Sequence, residues 1–223
     1  MEILTDVDNI WEKLHSQRSW GSYPSDHLVS KVMRQFSTRN SREHSNALEL
    51  GCGKGANLSF LLNEGFNVWG VDGSHSAIEN AKIFLNHKGS KKLNLSVQTF
   101  DRMHFYIKFD LVIDYFALYA NDFNTILETF KKVEKIIKPG GYFYSRFWGT
   151  ETEGAYTGEK LERNTIVNPI SGPCTNMGTS HFFDQTDINK LTKTWKTLEV
   201  SRINTAISTG VKMEEFVLWG CPL

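Results

Sequence analysis

Ala47-Leu48-Glu49-Leu50-Gly51-Cys52-Gly53-Lys54-Gly55-Ala56-Asn57, answered by Val68-Trp69-Gly70-Val71-Asp72-Gly73, is the passage from which the fold follows. An apolar run stops at an acidic residue and three glycines at alternate positions, a helical pattern comes next, and a second apolar run ends in Asp72. That order is the grammar of a β-turn-α-β unit that binds a nucleoside. Glycine serves twice here, allowing a turn at φ values other residues resist and letting a ligand lie against bare backbone. Asp72, closing the second strand, is placed to accept hydrogen bonds from ribose hydroxyls. Gly51, Gly53 and Ala56 also satisfy G-x-G-x-x-[G/A], so the spacing alone admits a dinucleotide. Glu49 argues otherwise: a carboxylate two residues before the first glycine attracts a cationic amino-acid portion of a ligand, and a pyrophosphate gains nothing from it.

Outward from this unit the chain continues to alternate strands and helices. The first strand spans about 46 to 50, a helix roughly 55 to 64 ends at Gly65, and the second strand spans 67 to 71. Ser74 or Ser76 can cap a helix over Ala77, Ile78, Ala81 and Leu85. Leu93 to Thr99 alternates as a third strand, and Phe109-Asp110-Leu111-Val112-Ile113-Asp114 is a short apolar run stopping at a carboxylate. A helix from about Asn124 to Lys138 ends at Pro139-Gly140-Gly141, with a fifth strand, Tyr142 to Phe147, directly after. A helix near 184 to 194 precedes two strands, 197 to 206 and 211 to 219, with Gly210 between them as in a hairpin.

Three of these markers together resemble class I S-adenosylmethionine-dependent methyltransferases. Glu49-Leu50-Gly51-Cys52-Gly53-Lys54-Gly55 is similar to their first motif, E/D-x-G-x-G-x-G. Phe109 to Asp114 resembles their fourth strand, and Ile137-Lys138-Pro139-Gly140-Gly141 their L-K-P-G-G turn. The resemblance covers residues 46 to 147. It implies an α/β fold, Rossmann-like, with a seven-stranded mostly parallel sheet, a C-terminal antiparallel hairpin and an N-terminal helical lid. On this reading 1–223 is a single domain divided into a helical N-terminal region (1–45), a cofactor-binding core (46–147), an active-site insertion (148–180) and a C-terminal helix and hairpin (181–223).

The N-terminal region reads as two helices, with Ile3, Val7, Ile10, Trp11 and Leu14 at helical spacing and then Leu28, Val29, Val32, Met33 and Phe36. Pro24 fixes the turn between them, and Ser25 or Asp26 caps the second. Trp20 and Tyr23 at this break either close over the cofactor or staple the helices to the core. Trp20-Gly21-Ser22-Tyr23-Pro24-Ser25 resembles the lead-in of bacterial small-molecule methyltransferases of surface-polysaccharide or secondary-metabolite pathways. Residues 148 to 180, rich in Gly, Thr and Asn and without period, form a long segment of the kind that is functional in a compact domain.

At 223 residues and 25.5 kDa the chain makes one ordinary domain with a full core. A formal net charge of zero argues against a nucleic-acid footprint, which needs clustered Lys and Arg. Short clusters such as Lys131-Lys132 and Lys88 to Lys92 read as solvated faces. No apolar run reaches the roughly 18 residues needed to span a bilayer, and Met1 to Asp6 lacks the apolar length of a signal peptide, so a cytoplasmic protein without membrane association is expected. Cys52, Cys174 and Cys221 form no metal pattern, and Cys52 among the glycines reads as a small packing residue.

Methyl transfer from a sulfonium is an in-line substitution at activated carbon, so the protein must chiefly hold donor and acceptor together. A base helps when the acceptor is a hydroxyl. The resemblance implies that Gly51, Cys52 and Gly53 contact the methionine portion through backbone, Glu49 acts by its carboxylate or through water, and Asp72 takes the ribose. It further implies that Gly73 and Ser74 border the adenine with Phe100 and Asp101, and that Asp114 and Tyr115 face the methyl group. His181, in Thr179-Ser180-His181-Phe182-Phe183, is the general-base candidate and a candidate acceptor contact, unless it is a satisfied structural histidine. His75 reads as a loop residue. Arg146 binds an anionic acceptor or pairs with a neighbouring acid. Asp114 has no companions at metal-ligand spacing, so no metal is expected. The resulting expectation is a methyltransferase acting on a small-molecule acceptor, with O-methylation of a sugar or phosphorylated precursor foremost. An NAD-dependent oxidoreductase and a non-catalytic methyltransferase-like binding subunit remain as alternatives, and the assembly is open, with a homodimer one option.

Overall fold

The computed structural model describes residues 6–18, 20–85, 92–208 and 210–222. Ile3 and the lysine cluster up to residue 91 lie outside the described residues. The central sheet follows from apolar runs that are buried on both faces. Its strands are β1 (Asn46–Leu50), β2 (Asn67–Asp72), β3 (Leu93–Val97), β4 (Phe109–Tyr115), β5 (Ile137–Trp148), β9 (Thr197–Ala206) and β10 (Lys212–Cys221), in the order β3-β2-β1-β4-β5-β10-β9. The first five are parallel, and β10 runs antiparallel to both β5 and β9. Side-chain alternation divides β4 between two cores. Val112 packs with Leu48, Phe143 and Phe130 on one face, while Leu111 and Ile113 pack with Ala47, Tyr144 and Val217 on the other.

The helices take their places by the same logic. α1 (Asp6–Gln17), α2 (Asp26–Gln35) and α3 (Arg39–Glu43) precede the sheet. α4 (Ala56–Asn63) follows β1, α5 (His75–Leu85) follows β2, α6 (Phe123–Ile136) follows β4, and α7 (Gln185–Leu191) precedes β9. Gly65, with φ +101°, terminates α4 in the left-handed conformation expected of it. Asp122 caps α6 through a 2.9 Å bond from the Thr125 amide. Ser25 occupies the N-cap of α2 without a side-chain cap bond, because its hydroxyl accepts from Arg146 Nη1 instead.

Two expectations need correction. The helix before Pro139 ends at Ile136, two residues short of Lys138, because Ile137 is already extended at φ −75°, ψ 141°. Ile137 pairs with Phe109 and the next pair is Leu111 with Tyr142, so Pro139-Gly140-Gly141 is a bulge within β5 rather than a turn before it. The insertion also has regular structure: β6 (Glu159–Glu162), β7 (Thr165–Val167) and β8 (Thr179–His181) form a separate antiparallel sheet. Its loops close tightly, since a Cβ on Gly172 would lie 1.8 Å from the Glu153 carbonyl oxygen. A segment this glycine-rich hides its strands from periodicity.

Among the described residues no helix is long and apolar enough to cross a membrane.

Candidate active site

Sheet order fixes where a ligand belongs. β1 has β2 on one side and β4 on the other, and the carboxyl ends of all three align, Leu50 opposite both Val71 and Asp114. This is the switch point at which α/β sheets open a crevice. A cavity of about 790 Å³ lies there, lined by the Gly51 to Gly53 turn, Glu49, Asp72, Gly73, Phe100 and Asp101. Trp11, His15, Trp20 and Tyr23 from the N-terminal region line it too, as do Tyr115, Phe116, Tyr119, Asp122 and Trp148, with Pro173 and Met177 from the insertion.

The glycine turn is packed as well as flexible. Gly51 and Gly53 hold φ of +64° and +51°, and a Cβ on Gly51 would sit 2.2 Å from the Ala117 Cβ. The loop after β4 therefore rests directly on the turn after β1. Asp72 ties the turn to the next helix, one oxygen accepting from the Gly53 amide at 2.9 Å and the other from the Ser74 amide at 2.9 Å. Burial raises the Asp72 carboxyl above its ordinary range, although His15 and the two amides pull it down. Burial lowers His15 despite the carboxylates of Asp72 and Glu12.

Glu49 carries the clearest sign of a ligand. It is 3% exposed, and Oε1 accepts from Asn57 Nδ2 at 2.6 Å while Oε2 is buried with no partner at all. Desolvation pushes its carboxyl up to about 8, beyond what the Asn57 hydrogen bond offsets, and Asp72 and Asp114 add to the rise. An unpaired buried carboxylate oxygen on a cavity wall is costly unless a cation meets it.

A family model described as a methyltransferase domain matches residues 41–180. The chain belongs to that methyltransferase-domain family. It is 31% identical over 151 residues to EEF1A lysine methyltransferase 2 of Danio rerio, covering 63% of this chain and 58% of that protein, so the chain spans under two thirds of that relative. An S-adenosylmethionine-dependent methyltransferase structure from Methanosarcina mazei superposes with a TM-score of 0.66 at 22% identity, covering 86% of this chain and 97% of the other. The N-methyltransferase NodS of Bradyrhizobium japonicum, solved with S-adenosylhomocysteine, gives 0.60 at 17% identity, covering 96% and 97%.

The residues of this methyltransferase-domain chain fit S-adenosylmethionine. The unpartnered Glu49 oxygen suits the methionine ammonium, the outward lone pairs of Asp72 suit the ribose hydroxyls, and Phe100 lies 3.7 Å from the position a Gly51 Cβ would take. Burial raises the Cys52 thiol well above its ordinary value, so it packs as a neutral side chain. Among the described residues no cluster of three or more His, Cys, Asp or Glu is arranged to hold a metal ion.

Four predicted site residues lie elsewhere. Ser74 is buried and does not line the cavity; its hydroxyl donates to Glu12 Oε2 at 2.7 Å and accepts from the Ala77 amide at 3.0 Å, capping α5. Asp114 is fully buried behind the cavity wall. It accepts from Ser145 Oγ at 2.6 Å and from the Ala117 and Leu118 amides at 3.0 Å each, so it shapes the loop after β4 and does not line the cavity. Arg146 pairs with Glu215, donates to Ser25 Oγ at 3.0 Å and lies over the rings of Tyr115 and Phe116, which realises its ion-pair alternative and leaves it off the cavity wall.

His181 is the largest correction, for it is 1% exposed and away from the cavity. Its Nδ1 shares a 2.7 Å hydrogen bond with Thr165 Oγ1, its Nε2 faces Asp187 Oδ2 at 3.4 Å, and its ring packs against Phe123 and Phe183. It joins the small sheet to α7 and to the core, a structural role held through the Thr165 bond, while Nε2 makes no hydrogen bond. His181→Ala should cost about 3 kcal/mol, lowering Tm by roughly 6 to 12 °C, through the cavity it leaves. Cofactor affinity should stay within about twofold, and a tenfold loss at full folding would return His181 to the site.

Sequence reasoning missed His15. Its ring lies 6.0 Å from those of Trp11 and Trp20, and its Cε1 is 3.5 Å from where a Gly53 Cβ would be. The signal was available, because Trp11 and His15 are one helical turn apart and face the same way. α1 is held in place by Glu12, which accepts from Ser74 and Ser76 at the start of α5, and by Asn80, which donates to the His15 carbonyl at 3.0 Å.

Proposed function

We propose that this methyltransferase takes S-adenosylmethionine as its donor and methylates a hydroxyl of a small, uncharged acceptor, a sugar unit foremost. The observation that carries the acceptor class is the wall formed by the loop after β4 and the end of β5. It is built from Tyr115, Phe116, Tyr119 and Trp148 with one carboxylate, Asp122. The lining cations, Lys54 and Arg102, belong to the glycine turn and to the loop after β3, and Arg146 is engaged with Glu215. A phosphorylated acceptor would want a cation beside that aromatic wall. A ring with apolar C–H faces and hydroxyl edges suits it better.

S-adenosylmethionine supplies a methyl group activated by its sulfonium leaving group. Glu49 holds the ammonium end, Asp72 takes the ribose hydroxyls, and Trp11, His15 and Trp20 cover the bound ligand from α1 and the segment after it. Asp122 accepts the proton of the acceptor hydroxyl. Its carboxylate is already oriented by two bonds from Thr125, the amide at 2.9 Å and Oγ1 at 2.7 Å. Asp122→Asn should lower kcat by about a hundredfold, within the usual contribution of a general base. Tm and cofactor affinity should hold, because asparagine caps a helix as well as aspartate does. Unchanged kcat would remove Asp122 from the reaction.

The experiment is methyl transfer from radiolabelled S-adenosylmethionine to three sets of acceptors: neutral sugars, sugar phosphates and lysine-containing proteins. Label in neutral sugars, released as methyl ethers, is the expected result. A second reading, lysine methylation, draws on the 31% identity to EEF1A lysine methyltransferase 2. Label appearing in protein lysine alone would establish that reading and end the first.

A further inference from the structure

Four non-glycine residues among those described have positive φ. Three are asparagines, Asn164, Asn168 and Asn176, the residue type that tolerates this region; the fourth is Phe116 at φ +54°. A bulky aromatic residue keeps such a backbone only where its surroundings enforce it, and strain of this kind gathers at binding and catalytic sites. Here the enforcement is visible. The Phe116 amide donates to the Arg146 carbonyl at 2.9 Å, and Asp114 Oδ1 accepts from the next two amides, Ala117 and Leu118, at 3.0 Å each. The Arg146 guanidinium carbon lies 5.4 Å from the centre of the Phe116 ring, itself fixed by Glu215 and Ser25.

The strained turn sends the Phe116 ring to the cavity wall. There it packs on Trp148 with centroids 4.3 Å apart at 33°, and both rings stay partly exposed to the cavity. Ala117, the next residue, touches the Gly51 turn, so this aromatic pair stands beside the donor site. A pair needed only for packing would be buried and would not require left-handed backbone.

We propose that Phe116 and Trp148 form the platform on which the acceptor lies, selecting a flat apolar ring face, and that Asp114 and Arg146 are positioning residues that hold the platform. The platform rests on the acceptor class proposed above, and it narrows that class from uncharged hydroxyl compounds to ring-shaped ones. Two sources share this chemistry, the C–H face of a pyranose and the π face of a phenol.

The test is saturation-transfer NMR on the full chain with S-adenosylhomocysteine present, using methyl β-D-galactopyranoside and p-cresol as probes in separate samples. Irradiation of the upfield protein methyl resonances, where neither probe absorbs, should pass magnetisation to the ring protons of one probe, which identifies the source. Phe116→Gly and Trp148→Leu should each weaken that probe at least tenfold while S-adenosylhomocysteine affinity stays within about twofold. Glycine accepts positive φ, so Phe116→Gly removes the ring without disturbing the turn. Transfer that persists undiminished in both variants overturns the platform, as does no transfer to either probe in the unaltered protein. A probe that binds the platform but receives no methyl group supports the platform and counts against hydroxyl methylation, so the two readings fail separately.

Discussion

Asp72→Ala should weaken S-adenosylhomocysteine binding by about 10²- to 10⁴-fold, measured by isothermal titration calorimetry. Two hydrogen bonds from ribose hydroxyls to a buried carboxylate are lost, each worth about 1.5 to 3 kcal/mol, and every 1.4 kcal/mol is a factor of ten. Stability of the free protein should move far less. The Gly53 and Ser74 amides lose their acceptor, yet the cost of burying the carboxylate, which already raises its pKa, disappears as well. A Tm within a few degrees of the parent together with the affinity loss places the ribose on Asp72. Unchanged affinity would move it elsewhere.

The cofactor half of the site could be read from the sequence because backbone does most of the work there. A glycine turn and a carboxylate at the end of the next strand are local patterns, and Glu49, Gly51, Gly53, Asp72 and Phe100 all line the cavity. Asp114 was legible as a strand-ending carboxylate but not as a buried one, since its direction depends on Ser145, 31 residues away across the sheet. His181 misled for the same reason. Thr165 reaches its Nδ1, and Asp187 comes to face its Nε2, only after the insertion folds into a sheet. Phe116 gave no signal at all, because positive φ at an aromatic residue is imposed by Arg146 and Asp114 and written in no local motif. The acceptor half thus depends on contacts of one loop with Trp148, Ser145 and Arg146 across the sheet, which is why the fold was legible and its chemistry only partly so.

Glu49 links donor binding to pH, with a sign that follows from its surroundings. In the free protein the carboxyl is raised from 4.5 to about 8, so it is protonated at neutral pH. An ammonium seated against Oε2 favours the ionised form, so binding near pH 6 releases a proton. Affinity should therefore rise about tenfold per pH unit up to about pH 8, where the ligand's own amino group, with a pKa of about 8, begins to lose its charge. Calorimetry in phosphate and in Tris should differ by the heat of one buffer proton at pH 6. The same shift acts oppositely on the empty protein. A carboxylate raised in the folded state disfavours folding once it ionises, so stability of the free protein falls from the unfolded value near 4.5 as pH rises towards 8. Glu49→Gln removes both effects, giving a free protein that melts higher than the parent at pH 8 and a cofactor affinity that is weaker there and flat between pH 6 and 8. A variant that bound as tightly as the parent at pH 8 would show that the ammonium lies away from Glu49, and a parent affinity flat with pH would show that the carboxyl is already ionised before the ligand arrives.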